Sequence, residues 1–396
     1  MPPPLRVLHL HCRYRERGGE DVVVDAERAA LTASGADVVA HDAVNPSAAV
    51  PAARNLLMAS WNPRSYMDVE RAVRRHAIDV AHVHNTWFTL SPSVIEGLHR
   101  AGVPIVVTVH NFRLSCVNGL LFRDGRACTD CVGKGPWRGV LHRCYRSSAL
   151  ASAAVATATA VNRRLGTWTR GVDRFLVLNG LAADVLTASG VPASRVSRTA
   201  NFVEDPGPRA HPASASRTIA YVGRLSQEKG VELLLRAWRA WRPAEDWTLV
   251  VAGDGPMRPQ LDALADARVT FAGRLPRDEV TLLLRRARAL VLPSLVFENQ
   301  PMAAVEAFAA GLPVLGRGIG GTLEVVRPLG ERWLVPDDTE TAWTQAMDVL
   351  ADDAAVADAA SAARQAYEHS YTPAVAMDRL LRVYEAVRSE AQAGVT

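Results

Sequence analysis

Short β-branched runs alternate with helical stretches along nearly the whole chain, and they do so in two successive series. The first series of strand candidates is Arg6–His11, Val38–His41, Val80–His84, Ile105–His110 and Phe175–Leu178. The second is Thr218–Val222, Thr248–Ala252, Val269–Ala272, Ala289–Leu292, Pro313–Leu315 and Trp333–Val335. Between them, Glu204–Ser216 is rich in Pro, Gly, Ser and Ala without periodicity, which reads as a linker. Parallel strands need long crossovers, usually helical, so this rhythm predicts an α/β chain with two parallel sheets. A length of 396 residues also exceeds one ordinary core. The expected domains are 1–203, 204–374, and a C-terminal helix at 375–396 that packs back on the first domain.

The start of the chain has no apolar signal region, and the longest weakly polar stretch, Ala149–Val161, is too short to span a bilayer. A cytoplasmic protein is expected, able to rest on the inner membrane face but not to cross it. Charge is uneven, +9 over residues 1–203 and −5 over 204–396. A basic first half suits an anionic membrane surface or a phosphorylated acceptor, or else is a solvated face with no partner. Of 45 basic residues only Lys134 and Lys229 are lysine, which suggests positions where a compact point charge is needed.

In the second half, Phe297–Pro313 follows a strand ending at Pro293-Ser294. Pro301 fits the first position of a helix, and Gly311 with Pro313 fits its stop. Glu298 then lies in the loop before the helix and Glu306 in its second turn. A helix N-terminus favours phosphate, and a carboxylate on either side suits sugar or ribose hydroxyls. A capping carboxylate plus a solvent-facing Glu is the plainer alternative. Tyr221–Gly230 reads as strand, glycine turn and helix, where Arg224 and Lys229 are placed to meet a diphosphate. The turns at Gly253–Pro256 and Gly273 leave the C-terminal ends of their strands, the edge where open α/β sheets bind ligands. Gly316–Gly321 matches a dinucleotide fingerprint, but Pro328 cuts the following helix short, which excludes a nicotinamide site.

Taken together, these segments resemble the retaining GT-B glycosyltransferases of family 4. Glu298 and Glu306 form the family's E-x₇-E motif. The glycine turn at 223–230, Ala252–Pro256 and Gly320–Val326 follow in the family's order, as do Arg17–Glu20, Val80–Asn85 and Val109–Phe112 in the first half. The resemblance implies a GT-B fold, two Rossmann-like domains whose sheets face each other across a cleft that holds the active site. It also implies that Arg224 and Lys229 neutralise the donor diphosphate, that Glu306 holds the ribose and that Glu298 holds the donor sugar. Backbone amides of Asn299, Gln300, Pro301–Met302, Gly320 and Gly321 would touch sugar or phosphate. Gly253 would line the donor site, Gly18 and Gly19 would approach the diphosphate or the acceptor, and His110 would face the reacting sugar.

The implied partners are a nucleotide-diphosphate sugar of the UDP, GDP or dTDP type and a glycan, glycolipid or small-molecule acceptor. No nucleic-acid partner and no catalytic cofactor are expected. The sequence contains no Asp-x-Asp triplet, so Arg224, Lys229 and the helix dipole would take the role of a metal ion. Retention of anomeric configuration follows from the resemblance. A GT-B-fold epimerase or a non-catalytic partner subunit are the alternatives. Four cysteines, Cys116, Cys128, Cys131 and Cys144, fall in an insertion at 111–146, and their spacing favours a structural zinc that orders it. Reduced, partly buried thiols are the alternative.

Overall fold

The computed structural model describes residues 3–14, 18–45, 58–244 and 246–393, and it divides into two compact units. The first unit comprises residues up to Leu121, Thr129–Thr199, and the C-terminal segment from Ala376. Its six-stranded sheet is wholly parallel, in the order β2-β1-β3-β4-β7-β8. The strands are β1 Arg6–Arg13, β2 Asp37–Val44, β3 Val80–Asn85, β4 Ile105–Val109, β7 Arg174–Val177 and β8 Val196–Arg198. Every residue of β3 and β4 is buried, as expected of central parallel strands covered on both faces.

The second unit comprises Phe122–Cys128 and Ala200–Val375. A two-stranded antiparallel hairpin, β5 Phe122–Arg123 and β6 Arg126–Ala127, turns through Asp124 and Gly125, both at positive φ. The main sheet is parallel, in the order β11-β10-β9-β12-β13-β14. Its strands are β9 Thr218–Val222, β10 Thr248–Ala252, β11 Val269–Gly273, β12 Ala289–Leu292, β13 Val314–Arg317 and β14 Leu334–Val335. One core joins this sheet to its helices, including Leu234 and Trp238 from Val231–Ala240 and Val305 and Phe308 from Met302–Ala309.

Chain order within the second sheet runs 3-2-1-4-5-6, so the winding reverses between β9 and β12. In the first sheet the reversal falls between β1 and β3. Helices leave opposite faces on either side of a reversal, which opens a crevice at the carboxyl ends of the two strands. The loops after β1, β3, β9 and β12 are therefore where ligand chemistry belongs. Gly18–Gly19, the turn at 223–230 and the Glu298 loop all follow such strands.

Candidate functional site

The crevice of the second unit is built by backbones that approach too closely for any side chain. A Cβ at Gly253, where φ is +143°, would lie 1.8 Å from the Gly223 carbonyl oxygen, and one at Gly230 would lie 2.1 Å from that of Pro293. Leu225 N–H donates to the Asp254 carbonyl at 2.9 Å and Leu295 N–H to that of Glu228 at 2.9 Å. These contacts lock the turn after β9 against the turns after β10 and β12. The Tyr221 hydroxyl adds a bond to the Arg224 carbonyl at 2.9 Å.

That lock brings together two residues 69 positions apart. Lys229 Nζ lies 2.5 Å from Glu298 Oε1, which also accepts from Ser294 Oγ at 2.7 Å. Burial pushes the Glu298 carboxyl up, but the Lys229 ammonium and these hydrogen bonds outweigh it and hold the group below its ordinary value. The sequence reading gave Lys229 to a diphosphate and Glu298 to a sugar; the structure joins them as one ion pair. Arg224 is exposed, on the turn between β9 and Lys229. Glu306 lies within helix Met302–Ala309, and burial raises its carboxyl above the ordinary value despite Arg277.

Two details, at Pro301 and Gly321, differ from the sequence reading. Pro301, with extended backbone at ψ 109°, precedes the first helical residue, Met302, instead of occupying that position. Gly321 N–H donates to the Glu298 carbonyl at 2.7 Å, so this amide holds the Glu298 loop in place. Gly320, at φ +53°, stacks on the same loop, where a Cβ would meet the Glu298 oxygen at 3.1 Å. The Gln300 carboxamide is likewise engaged: its Oε1 accepts from Asn201 N–H at 2.7 Å, tying the loop to the segment that enters this unit. Asn299 and Gln300 are both buried.

In the first unit, Asp21 holds Gly18 near the end of β1: its Oδ2 accepts from Gly18 N–H at 2.8 Å and its Oδ1 lies 2.9 Å from His11 Nε2. Gly19 opens helix Gly19–Ala33, and a Cβ there would meet nothing within 4 Å. Arg17 of the same motif lies outside the described residues. Burial pushes the Glu20 carboxyl up to about 8 in spite of its bond from the Tyr14 hydroxyl. After β4 comes His110, which lines a crevice with Asn85, Trp87, Asn111 and Arg113. Burial among other histidines pushes its imidazole down to about 3, so it is neutral at neutral pH.

Among the described residues, one group of three or more His, Cys, Asp or Glu side chains has converging ligand atoms, and it consists of His9, Glu27, His82 and His84. Of the cysteines singled out in the sequence, Cys116 and Cys131 are buried and Cys128 and Cys144 half-buried, and Cys116 Sγ donates to Asn118 Oδ1 at 3.0 Å. Sequence reasoning missed the histidine group. Its signal was the alternation of His9 with His11 and of His82 with His84, a period of two that sets each pair on one sheet face.

Two doubly wound parallel units in one chain are the architecture of the GT-B class of protein. Anabaena HepE, solved with UDP, superposes with a TM-score of 0.70 at 14% identity, over 96% of this chain and 100% of that one. The sequence profile of Glycosyltransferase Family 4 matches residues 6–205, and that of Glycosyl transferases group 1 matches residues 216–353. The chain belongs to glycosyltransferase family 4, group 1. Among its relatives, it is 29% identical to the 2-deoxystreptamine glucosyltransferase of Streptomyces kanamyceticus, over 67% of this chain and 66% of that one. It is also 29% identical to the 2-deoxystreptamine N-acetyl-D-glucosaminyltransferase of Streptomyces fradiae, over 78% of this chain and 68% of that one.

Proposed function

We propose that the protein transfers a sugar from a nucleotide-diphosphate donor of the UDP, GDP or dTDP type to an acceptor hydroxyl, with retention of anomeric configuration and without a catalytic metal. The observation that carries this reading is the Lys229–Glu298 pair at the reversal between β9 and β12. Breaking the anomeric C–O bond leaves an oxocarbenium-like sugar and a diphosphate with added negative charge. Lys229 and Arg224 supply fixed positive charge to the diphosphate, and Glu298 accepts hydroxyls of the sugar. Glu306 takes the ribose hydroxyls. His110, neutral, meets the reacting sugar, and the departing phosphate takes the acceptor proton. The purified protein is expected to consume one donor of a UDP-, GDP- and dTDP-sugar panel in EDTA, and the product's NMR couplings are expected to show a retained linkage. Activity lost in EDTA and restored only by Mg²⁺ or Mn²⁺ overturns the metal-free part; an inverted linkage overturns retention.

For the acceptor we favour a membrane-associated glycolipid or polysaccharide precursor. In the first unit, Trp137, Leu141 and Leu150 are 56%, 78% and 86% exposed, and Arg138, Arg143 and Arg146 are exposed among them. Exposed apolar anchors interleaved with arginine suit an anionic bilayer surface. No described helix is long and apolar enough to cross a membrane. Co-sedimentation with vesicles of anionic lipid is expected, weakening as salt rises and falling in a Trp137→Ser/Leu141→Ser variant. Absence of binding, or equal binding to neutral vesicles, favours the other reading, a small polyhydroxylated acceptor like the aminocyclitol in the names of the Streptomyces relatives.

A further inference from the structure

The histidine group in the first unit is a continuous hydrogen-bonded network that ends on His110. Strand pairing sets His9 of β1 beside His82 of β3. Glu27, from helix Gly19–Ala33, reaches in between. Its Oε1 lies 2.9 Å from His9 Nε2, 2.9 Å from His82 Nδ1 and 3.2 Å from His84 Nε2. The second nitrogen of His84, Nδ1, is 2.8 Å from His110 Nε2. The rings of His9, His82 and His84 have no solvent contact.

Counting protons decides which way these bonds run. Arg28 Nε is only a donor, and it lies 3.1 Å from His9 Nδ1, so that nitrogen carries a lone pair and the His9 proton sits on Nε2, beside Glu27. Burial pushes the Glu27 carboxyl up, yet the histidines at 82 and 84 hold it well below the ordinary range, so it is an anionic acceptor. His84 Nε2 lies 3.2 Å from that anion and 3.0 Å from His9 Nε2, whose ring stacks on that of His84; with the His9 proton taken up by Glu27, the anion favours a proton on His84 Nε2 as well. A neutral imidazole has one such proton, so His84 Nδ1 is left as an acceptor and must receive a hydrogen from His110 Nε2.

We propose that Glu27, acting through His84, is a positioning residue that fixes His110 in its Nε2–H tautomer, so that the nitrogen left for a ligand is Nδ1, a hydrogen-bond acceptor. His110 Nδ1 then accepts a hydrogen bond from a sugar or acceptor hydroxyl and donates none to it. The inference rests on the reading of His110 given above only for its consequence in transfer; the tautomer itself rests on the geometry of the network and the charge of Glu27. The same four side chains also suggest a cation site. A cation on His9 Nε2 would drive the ring proton to Nδ1, against the Arg28 donor, whereas a ligating histidine presents its other N–H to an acceptor. His9 therefore fits a proton donor to Glu27 and not a metal ligand.

Long-range ¹H–¹⁵N spectra of the full chain labelled with ¹⁵N-histidine test this directly. At pH 7, His110 is expected to show a protonated Nε2 and a bare Nδ1. Glu27→Gln is expected to mix the two His110 tautomers and to lower kcat/KM at least ~10-fold, as a mis-set tautomer does in other buried carboxylate–histidine pairs. Wild-type protein with the His110 proton on Nδ1 overturns the proposal, as does one equivalent of Zn²⁺ that copurifies and is lost with Glu27→Gln. A Glu27→Gln variant that keeps a single Nε2–H tautomer also overturns it. If the tautomers behave as stated but His110→Ala transfers sugar at the wild-type rate, the tautomer lock stands and it is the functional reading of His110 that fails.

Discussion

Replacing Lys229 with alanine is expected to lower kcat/KM for donor-sugar transfer at least ~10²-fold, which is about 2.7 kcal/mol of transition-state stabilisation. Two effects add. The diphosphate loses a fixed point charge close to where negative charge develops. Glu298, which shares Oε1 between Lys229 and Ser294, loses the cation that offsets its burial. Its carboxyl then rises toward or above the ordinary value, and its orientation toward a sugar hydroxyl loosens. Lys229→Arg is not expected to restore the rate, because a planar fork does not occupy the place of a compact ammonium 2.5 Å from a single oxygen. Glu306→Ala is expected to lose a similar factor through ribose binding. The decisive measurement is initial-rate kinetics at several donor concentrations, beside a thermal melt showing that each variant is folded. Near-wild-type rates in folded Lys229→Ala would remove this pair from the donor site.

Most of the strands were legible because parallel α/β chains announce themselves by rhythm. β9, β10 and β12 fall where the β-branched runs predict them, and β1 and β2 merely extend further, to Arg13 and Val44. β8 escaped notice because Val196-Ser-Arg198 is a three-residue edge strand that buries none of its residues fully. The hairpin at 122–127 has strands of two residues each, below any periodicity. What sequence does not carry is who meets whom across the fold. Lys229 and Glu298 were both singled out, yet their pairing depends on the reversal between β9 and β12. Glu27 drew no attention, since a single carboxylate on an amphipathic helix gains meaning only when β1 and β3 set histidines opposite it. Gly321 was read as a ligand-binding amide because the motif contains a glycine there; the structure gives that glycine a mechanical reason.

That reason yields the second large effect. A Cβ at residue 321 would lie 1.9 Å from the Asn299 carbonyl oxygen and 2.7 Å from that of Glu298. Both neighbours are backbone atoms, so no side-chain rotation relieves the clash, and the loop 298–300 must move by more than an ångström. Gly321 N–H is also the donor that anchors this loop, at 2.7 Å to the Glu298 carbonyl. Gln300 pins the far end of the loop to Asn201, so the displacement falls on Glu298. Gly321→Ala is therefore expected to destabilise the protein by about 2–4 kcal/mol, in the range of severe overpacking. Transfer in the folded fraction should fall by roughly two orders of magnitude, as for loss of a preorganised site. Gly318→Ala is the matched control, because its Cβ would come no closer than 3.4 Å to a neighbour, the Val335 oxygen, and it is expected to change stability little. Denaturant unfolding of both variants, with transfer assayed under native conditions, separates the two contributions. If Gly321→Ala unfolds and transfers like the wild type, close packing of helix Gly320–Val326 on the Glu298 loop does not set the geometry of this site.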